Sequence, residues 1–333
     1  MTYCQKWCPA SGTGTGGRNG AVGSTRGRTM STVLLRHTGP DGDGDGDRSS
    51  GVRFTLFGPI QMLVDGDPVT LGPPKQRALL ATLLLRPGLS TGTDQLISAL
   101  WGVEQPAYAK NLVQKYVSGL RGVLAGAVAG VPGTAPEVVW TPGGYRLETG
   151  DAVVDLHVYE RLASEGTTMA LTGDLHGAAR HLDGARILVT GTLAEGLEAP
   201  VLDRERVYRE ERFLADMELR AEVELDLGRH RNAIPYLYFV LHRRPLSERF
   251  SWLLMLALFR ADRGGDALSH YHGYQRRVAD ELGADPGFAL RELHRRILAQ
   301  DPALMTLATV PPPEGGRLRP GGDPAPGTPP GTP

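Results

Sequence analysis

From residue 150 to about 300 the chain offers one helical pattern after another, with apolar positions three and four apart and glycine or proline at the joints. Gly173, Gly228, Pro245, Gly264-Gly265 and Pro286 are those joints. An amphipathic helix must bury its apolar stripe on a neighbour. The spacing therefore predicts a body of packed helices over 155–165, 174–190, 201–227, 230–244, 247–263, 265–282 and 286–299. In the third of these, Leu214, Met217, Ala221 and Leu225 keep the 3.6-residue period until Gly228 ends the run.

A degenerate self-similarity at 34 residues pairs Ala233 with Ala267, Leu237 with Tyr271 and Arg243 with Arg277. That period suits stacked helix–turn–helix repeats of the tetratricopeptide kind, in which each pair buries its face on the next.

Residues 51–149 change period twice. VRFTLFG (52–58) and IQMLVDG (60–66) read as strands, and Asp65-Gly66 turns into a short third strand at Val69 to Leu71. PPKQRALLATLLLRPG (73–88) is helical, with proline at its start and Pro-Gly at its end. TDQLISALWG (93–102) is a short helix and PAYAKNLVQKYVSGLRGVL (106–124) a longer one. EVVWTPGGYRLE (137–148) is a hairpin around Pro142-Gly143-Gly144. The expected order is β-β-β-α-α-α-β-β.

The ends have little to bury. Residues 1–50 hold GTGTGG (12–17) and DGDGDGD (41–47), and the Pro/Gly tail occupies 305–333, so both are expected to be disordered. Gly12, Gly14 and Gly17 fit a dinucleotide-loop spacing but lack the flanking strand and helix. Asp41, Asp43 and Asp45 open like a calcium loop, yet Val52 stands where the bidentate glutamate belongs. Gly88-Leu89-Ser90-Thr91-Gly92 fits a nucleophile-elbow pattern, but a helix precedes it, so it reads as a helix–helix loop. No metal-binding His/Cys spacing occurs, so neither enzyme activity nor a cofactor is expected. No apolar run reaches membrane-spanning length, and Cys4 and Cys8 cannot staple a core. A cytoplasmic protein with no membrane partner is expected.

The overall net charge of −1 conceals a gradient, +2 over 51–149 and −4 over 150–300. The helix 106–124 sharpens this. Val113, Val117, Leu120 and Leu124 form one apolar stripe, while Lys110, Asn111, Gln114, Lys115, Ser118 and Arg121 lie on the other flank. Lysine and arginine suit phosphates or guanine, and Asn and Gln suit adenine edges. An ordinary solvated helix face has the same look. The shorter helix before it and the hairpin after it are the parts of a winged helix-turn-helix.

These blocks, in this order, resemble the Streptomyces antibiotic regulatory protein family. VRFTLFGPIQMLVDGDPVTLGPPKQRALLATLLLRPG, TDQLISALWG, NLVQKYVSGLR and VVWTPGGYRLE resemble its OmpR-type winged-helix domain. VDLHVYERLASEG (154–166) and the stretch 227–304 resemble its bacterial transcriptional activation domain. The resemblance implies an α+β winged helix-turn-helix over 51–149, followed by an all-α tetratricopeptide-like helical-repeat domain over 150–304. It implies an activator of a secondary-metabolite (antibiotic) gene cluster that binds promoter direct repeats as paired copies and engages RNA polymerase. It makes the helix near Ala107 the recognition helix, with Lys110, Asn111, Gln114, Lys115 and Ser118 in the groove of double-stranded DNA and Arg121 on the backbone side. Gly143, Gly144 and Arg146 would form the wing, and Gly102, Val103, Glu104 and Gln105 the polymerase-contact loop. Gly119 and Gly122 stand where many relatives carry long polar residues, which implies weaker phosphate contact. Two other readings compete. One is a protein-interaction adaptor with lost DNA binding. The other is a ligand-sensing regulator using Tyr236, Tyr238, Tyr271 and Tyr274.

Overall fold

The computed structural model describes residues 51–310. The N-terminal segment 1–50, with its glycine and aspartate repeats and both cysteines, and the tail from Pro311 lie outside the described residues. The chain divides into two compact units. Among the described residues, one holds 51–159 together with Arg186–Glu211, and the other holds Glu160–Ala185 and 212–310.

In the first unit, β1 (Val52–Thr55), β2 (Gln61–Val64) and β3 (Asp67–Val69) form an antiparallel meander. Asp65 and Gly66 both take positive φ, 51° and 92°, between paired Val64 and Asp67. That is the two-residue primed turn whose twist matches the strands. Pro68 sits on the edge strand, where its missing N–H costs no ladder bond. Then come α1 (Pro74–Leu84), α2 (Thr93–Trp101) and α3 (Ala109–Ala127), followed by the hairpin β4 (Glu137–Thr141) and β5 (Gly144–Glu148). The two-residue strand β6 (Val153–Val154) was not foreseen; it pairs parallel to β1 and completes the sheet order β3-β2-β1-β6. Leu79, Leu80, Leu83 and Leu84 of α1, Leu96 and Leu100 of α2, and Val113, Val117, Leu120 and Leu124 of α3 share the core with Val138 and Leu147.

Asp155 opens α4 (Asp155–Thr172) directly after β6. Its buried carboxylate accepts from Leu56 N at 2.8 Å and Phe57 N at 3.0 Å, so it clasps the end of β1. Burial pushes this carboxyl above its usual range, while the backbone donors pull it back. Asp155→Ala orphans two or more buried N–H groups and is expected to cost about 3 kcal/mol, measured by urea unfolding. Residues 190–206 return to the same sheet end. Phe57 bridges Leu193, and Arg206 donates to the carbonyls of Leu193, Ala194 and Leu197.

The second unit is helical. It takes in the later part of α4, most of α5 (Leu175–Leu188) and the later part of α6 (Pro200–Asp226). It continues with α7 (His230–Arg243), α8 (Glu248–Arg260), α9 (Gly264–Leu282) and α10 (Phe288–Leu298). All seven helices foreseen from the spacing are present. Helix α8 is apolar on nearly every side, burying Phe250, Leu253, Leu254, Met255, Leu256 and Leu258, and α7 and α9 pack on it. Of the positions that repeat after 34 residues, Ala233, Ala267, Leu237 and Tyr271 are core, whereas Arg243 and Arg277 are exposed. The Arg220 guanidinium lies 4.3 Å over the Tyr236 ring and pairs with Asp183. Packing continues past Leu304, where the sequence places the start of a disordered tail. Leu307 packs on the core, Thr309 bonds to Asp226, and Val310 is buried.

His270 lines a mainly apolar groove with Tyr238, Leu241, His242, Pro245 and Arg277. Burial, reinforced by the Arg277 charge, pushes its pKa down to about 4. An unfolded histidine takes its proton near pH 6.5. Unfolding therefore takes up a proton between those values, and stability present above pH 6.5 is lost as pH falls toward 4. Allowing for partial solvent access, about 2 kcal/mol should be lost over that window. Melts of wild type and His270→Gln from pH 7.5 to 4 test this; the variant's curve should be flatter.

Candidate nucleic-acid interface

Helix α3 is oriented by what it buries. Val113, Val117, Leu120 and Leu124 face α1 and α2, and Tyr116 stacks on Trp101 with ring centroids 6.5 Å apart. Asn111, Gln114, Lys115 and Ser118 must then share the outer face, because residues three and four apart are neighbours on a helix. All four are exposed, and among the described residues none pairs with another side chain. The helix carries Lys110, Lys115 and Arg121 and no carboxylate. Lys110 lies 3.6 Å from Asp94 of α2, both well exposed, a contact of little strength in water. Arg121 donates from Nε to the Val138 carbonyl at 2.7 Å, tying α3 to β4 and leaving its terminal nitrogens.

Gly119 has a different cause from the one its place in the helix suggests. A Cβ there would lie 2.4 Å from Gln76 Oε1, and buried Gln76 is itself held by the Leu71 carbonyl. Gly119 lets α3 close on α1, so no outward-facing basic side chain is missing at that position. Gly122, four residues after Ser118, does lie on the exposed face, with open space beside it.

The hairpin is fixed to the loop before α2. Thr91 exchanges both backbone hydrogen bonds with Tyr145, at 2.8 and 2.9 Å, and Thr141 Oγ1 meets Ser90 Oγ at 2.7 Å. The segment Gly88–Gly92 is thus the connection between α1 and α2, and Thr91 a short third strand for the hairpin. Gly143 is exposed at the turn, whereas Gly144 is buried against the Thr91–Gly92 backbone. Arg146 pairs with Glu148 on its own strand, which neutralises much of its charge. Trp140, 60% exposed and edge-on to Tyr145, and Tyr108 at the start of α3 are exposed aromatics that the pattern of polar residues did not single out. Their signal was available only as large apolar residues at an element's end.

Gly102 closes α2 with φ 65°, and Val103, Glu104 and Gln105 after it are exposed; Gln105 donates back to the Gly102 carbonyl. The tyrosines offered as ligand contacts are not gathered in one place. Tyr271 and Tyr274 are core, Tyr236 lies under Arg220, and only Tyr238 reaches the groove beside His270. Among the described residues, no group of histidine, cysteine and carboxylate could hold a metal, and no helix is long and apolar enough to cross a membrane.

An exposed cationic helix lies beside a small hairpin in the first unit, and comparison with known proteins gives the class, a transcription regulator. Residues 154–298 match the bacterial transcriptional activator domain. The chain is 39% identical over 265 residues to the regulatory protein AfsR of Streptomyces coelicolor, covering 79% of this chain and 26% of that one. It is 31% identical over 256 residues to the regulatory protein DnrI of Streptomyces peucetius, covering 76% of this chain and 94% of DnrI. A solved structure, Mycobacterium tuberculosis EmbR in complex with a low-affinity phosphopeptide, matches with TM-score 0.68 and 33% identity, over 77% of this chain and 69% of that one. The chain spans about a quarter of the length of AfsR. It belongs to the Streptomyces antibiotic regulatory protein family, whose members are transcriptional regulators.

Proposed function

We propose that this chain activates transcription of a secondary-metabolite (antibiotic) gene cluster by reading promoter DNA with α3. The observation that carries the reading is the outer face of that helix: Asn111, Gln114, Lys115 and Ser118 lie exposed without side-chain partners, on a helix that carries no carboxylate. In this reading residues 51–149 are a winged helix-turn-helix. Helix α3 enters the major groove, Asn111 and Gln114 meet adenine edges, and Lys115 meets phosphate or guanine. Arg121 lies toward the DNA backbone, and Gly143, Gly144 and Arg146 belong to the wing. The exposed loop Gly102–Gln105 is offered to RNA polymerase. Two copies occupy direct repeats on one face of the DNA, and the tetratricopeptide-like helices of the second unit serve contacts between copies or with polymerase.

Fluorescence anisotropy with promoter DNA from the gene neighbourhood and a scrambled duplex, at two salt concentrations, tests this. Tight, cooperative and selective binding is expected. Equal weak binding to both duplexes, lost at the higher salt, would overturn it. Lys115→Ala should lower the slope of log affinity against log salt by about one unit; an unchanged slope removes Lys115 from the phosphates.

A further inference from the structure

Between α7 and α9 the second unit opens a groove of about 430 Å³, lined by Tyr238, Leu241, His242 and Pro245 on one side and His270 and Arg277 on the other. None of these residues is a carboxylate. The stretch from Leu227 to Ser247, which contains α7, holds Arg229, Arg231, Arg243, Arg244 and two histidines and no Asp or Glu, inside a region whose net charge is negative. The carboxylates one turn beyond the groove on the same flank of α9 are Asp266 and Glu281. Asp266 meets Arg263 at 2.6 Å, and Glu281 lies 4.0 Å from Arg277. The second pair is long and half-exposed, so it engages the Arg277 guanidinium only weakly.

The repeat of 34 residues relates His270 to Tyr236 and Arg277 to Arg243. In the first repeat the Arg220 guanidinium of α6 covers the Tyr236 ring at 4.3 Å, so the protein itself closes that flank of α7. In the second repeat α7 offers His270 the apolar Leu241 and Pro245 instead, and His270 Nε2 makes no hydrogen bond among the described residues. Gly273 widens the same flank. It lies three residues after His270 and four before Arg277, inside α9, and a Cβ there would have no neighbour within 4 Å. A glycine inside a helix costs about 1 kcal/mol against alanine, so the helix gives up stability where the groove gains room.

The groove continues along α7. Arg231, Pro235, Tyr238 and His242 recur at helical spacing and all are exposed, so one stripe carries a basic group at each end and an aromatic ring between. From Arg231 to His242 is roughly 16 Å of helix, the reach of several peptide residues rather than of one small anion. Its cations suit carboxylates, and its apolar middle suits an aliphatic or aromatic side chain. A long polyanion is opposed by the negative net charge of 150–300, whereas a short acidic segment feels mainly the cations within a Debye length. We propose that this groove binds a short acidic segment of a partner protein, with its carboxylates on Arg231 and Arg277 and an apolar side chain over Leu241, between Tyr238 and Pro245. The inference concerns the second unit and does not depend on DNA reading.

Fluorescence anisotropy with the full-length protein tests it, using a labelled acidic peptide, DDELFEDD, its lysine counterpart KKKLFKKK, and a labelled oligo(dT). The acidic peptide should bind about tenfold or more tightly than the lysine peptide. Arg277→Glu should weaken it by about tenfold or more. Arg276→Glu makes the same charge change on a different face of α9 and should alter binding by less than about threefold. Gly273→Leu fills the groove and should abolish binding, while its melting temperature holds or rises because leucine is the better helix former. No binding of the acidic peptide, or equal binding of the lysine peptide, overturns the proposal. Equal losses with Arg276→Glu and Arg277→Glu, or binding that survives Gly273→Leu, overturn the groove as the site. Oligo(dT) binding that falls with Gly273→Leu makes the ligand a nucleic acid and overturns a protein partner. N-acetylaspartate that displaces the labelled peptide as well as unlabelled peptide does overturns a peptide as occupant. Should Gly273→Leu lose its cooperative melt, His242→Glu is put through the same titration.

Discussion

Gly144→Ala should detach the β4–β5 hairpin and destabilise the first unit by about 4 kcal/mol or more, near the top of the range for one substitution. Gly144 takes φ +120°, a region that side chains with a Cβ rarely enter. An added Cβ would lie 2.2 Å from Thr91 O and 2.7 Å from Gly92 Cα. Those neighbours are main chain, so no rotamer change relieves the clash. The same stretch carries the paired hydrogen bonds between Thr91 and Tyr145, which must break if the strands move apart. Gly143→Ala is the control. Its nearest neighbour would be the Ser90 Cβ at 3.2 Å, at the exposed turn, and a cost of about 1 kcal/mol is expected. Thermal melts compare the two, and DNA titration should show binding lost with Gly144→Ala and kept with Gly143→Ala. Equal melts would mean that the hairpin is not held by this approach.

Much of this architecture is legible in the residues because period and punctuation agree. Asp65-Gly66 specifies its primed turn, Pro74 starts α1, and the stripe Val113, Val117, Leu120, Leu124 fixes which side of α3 faces outward. Contacts made by backbone leave no such period. Strand β6 is two residues long, and Phe57 meets Leu193 across a stretch whose own sequence reads only as the gap between two helices. The same applies to Gly119: spacing puts it beside the outer face, and only its distance from Gln76 shows that the residue answers to packing. Charge pairing is also invisible to spacing. Arg146 looks like a free cation until Glu148, two residues on along one strand, is seen to meet it. After residue 304, the Pro/Gly composition of the tail masks the fact that Thr309 and Val310 are still bound.

The paired change Asn111→Ala with Gln114→Ala should remove sequence discrimination while leaving fold and charge intact. Both residues are exposed on α3 and unpaired, and alanine is the better helix former, so stability should hold or rise by a few tenths of a kcal/mol. A bidentate amide–adenine contact is worth about 1–3 kcal/mol against the wrong base. Losing two should cut affinity for the promoter duplex by roughly a hundredfold or more, with affinity for a scrambled duplex and the salt slope unchanged. Lys115→Ala is expected to do the reverse, lowering affinity for both duplexes alike and flattening the salt slope. The opposition between the two variants separates base reading from phosphate attraction, which a single affinity cannot do. If the double variant keeps the wild-type ratio of promoter to scrambled affinity, α3 does not present Asn111 and Gln114 to bases. Selectivity would then have to come from the hairpin or from DNA shape.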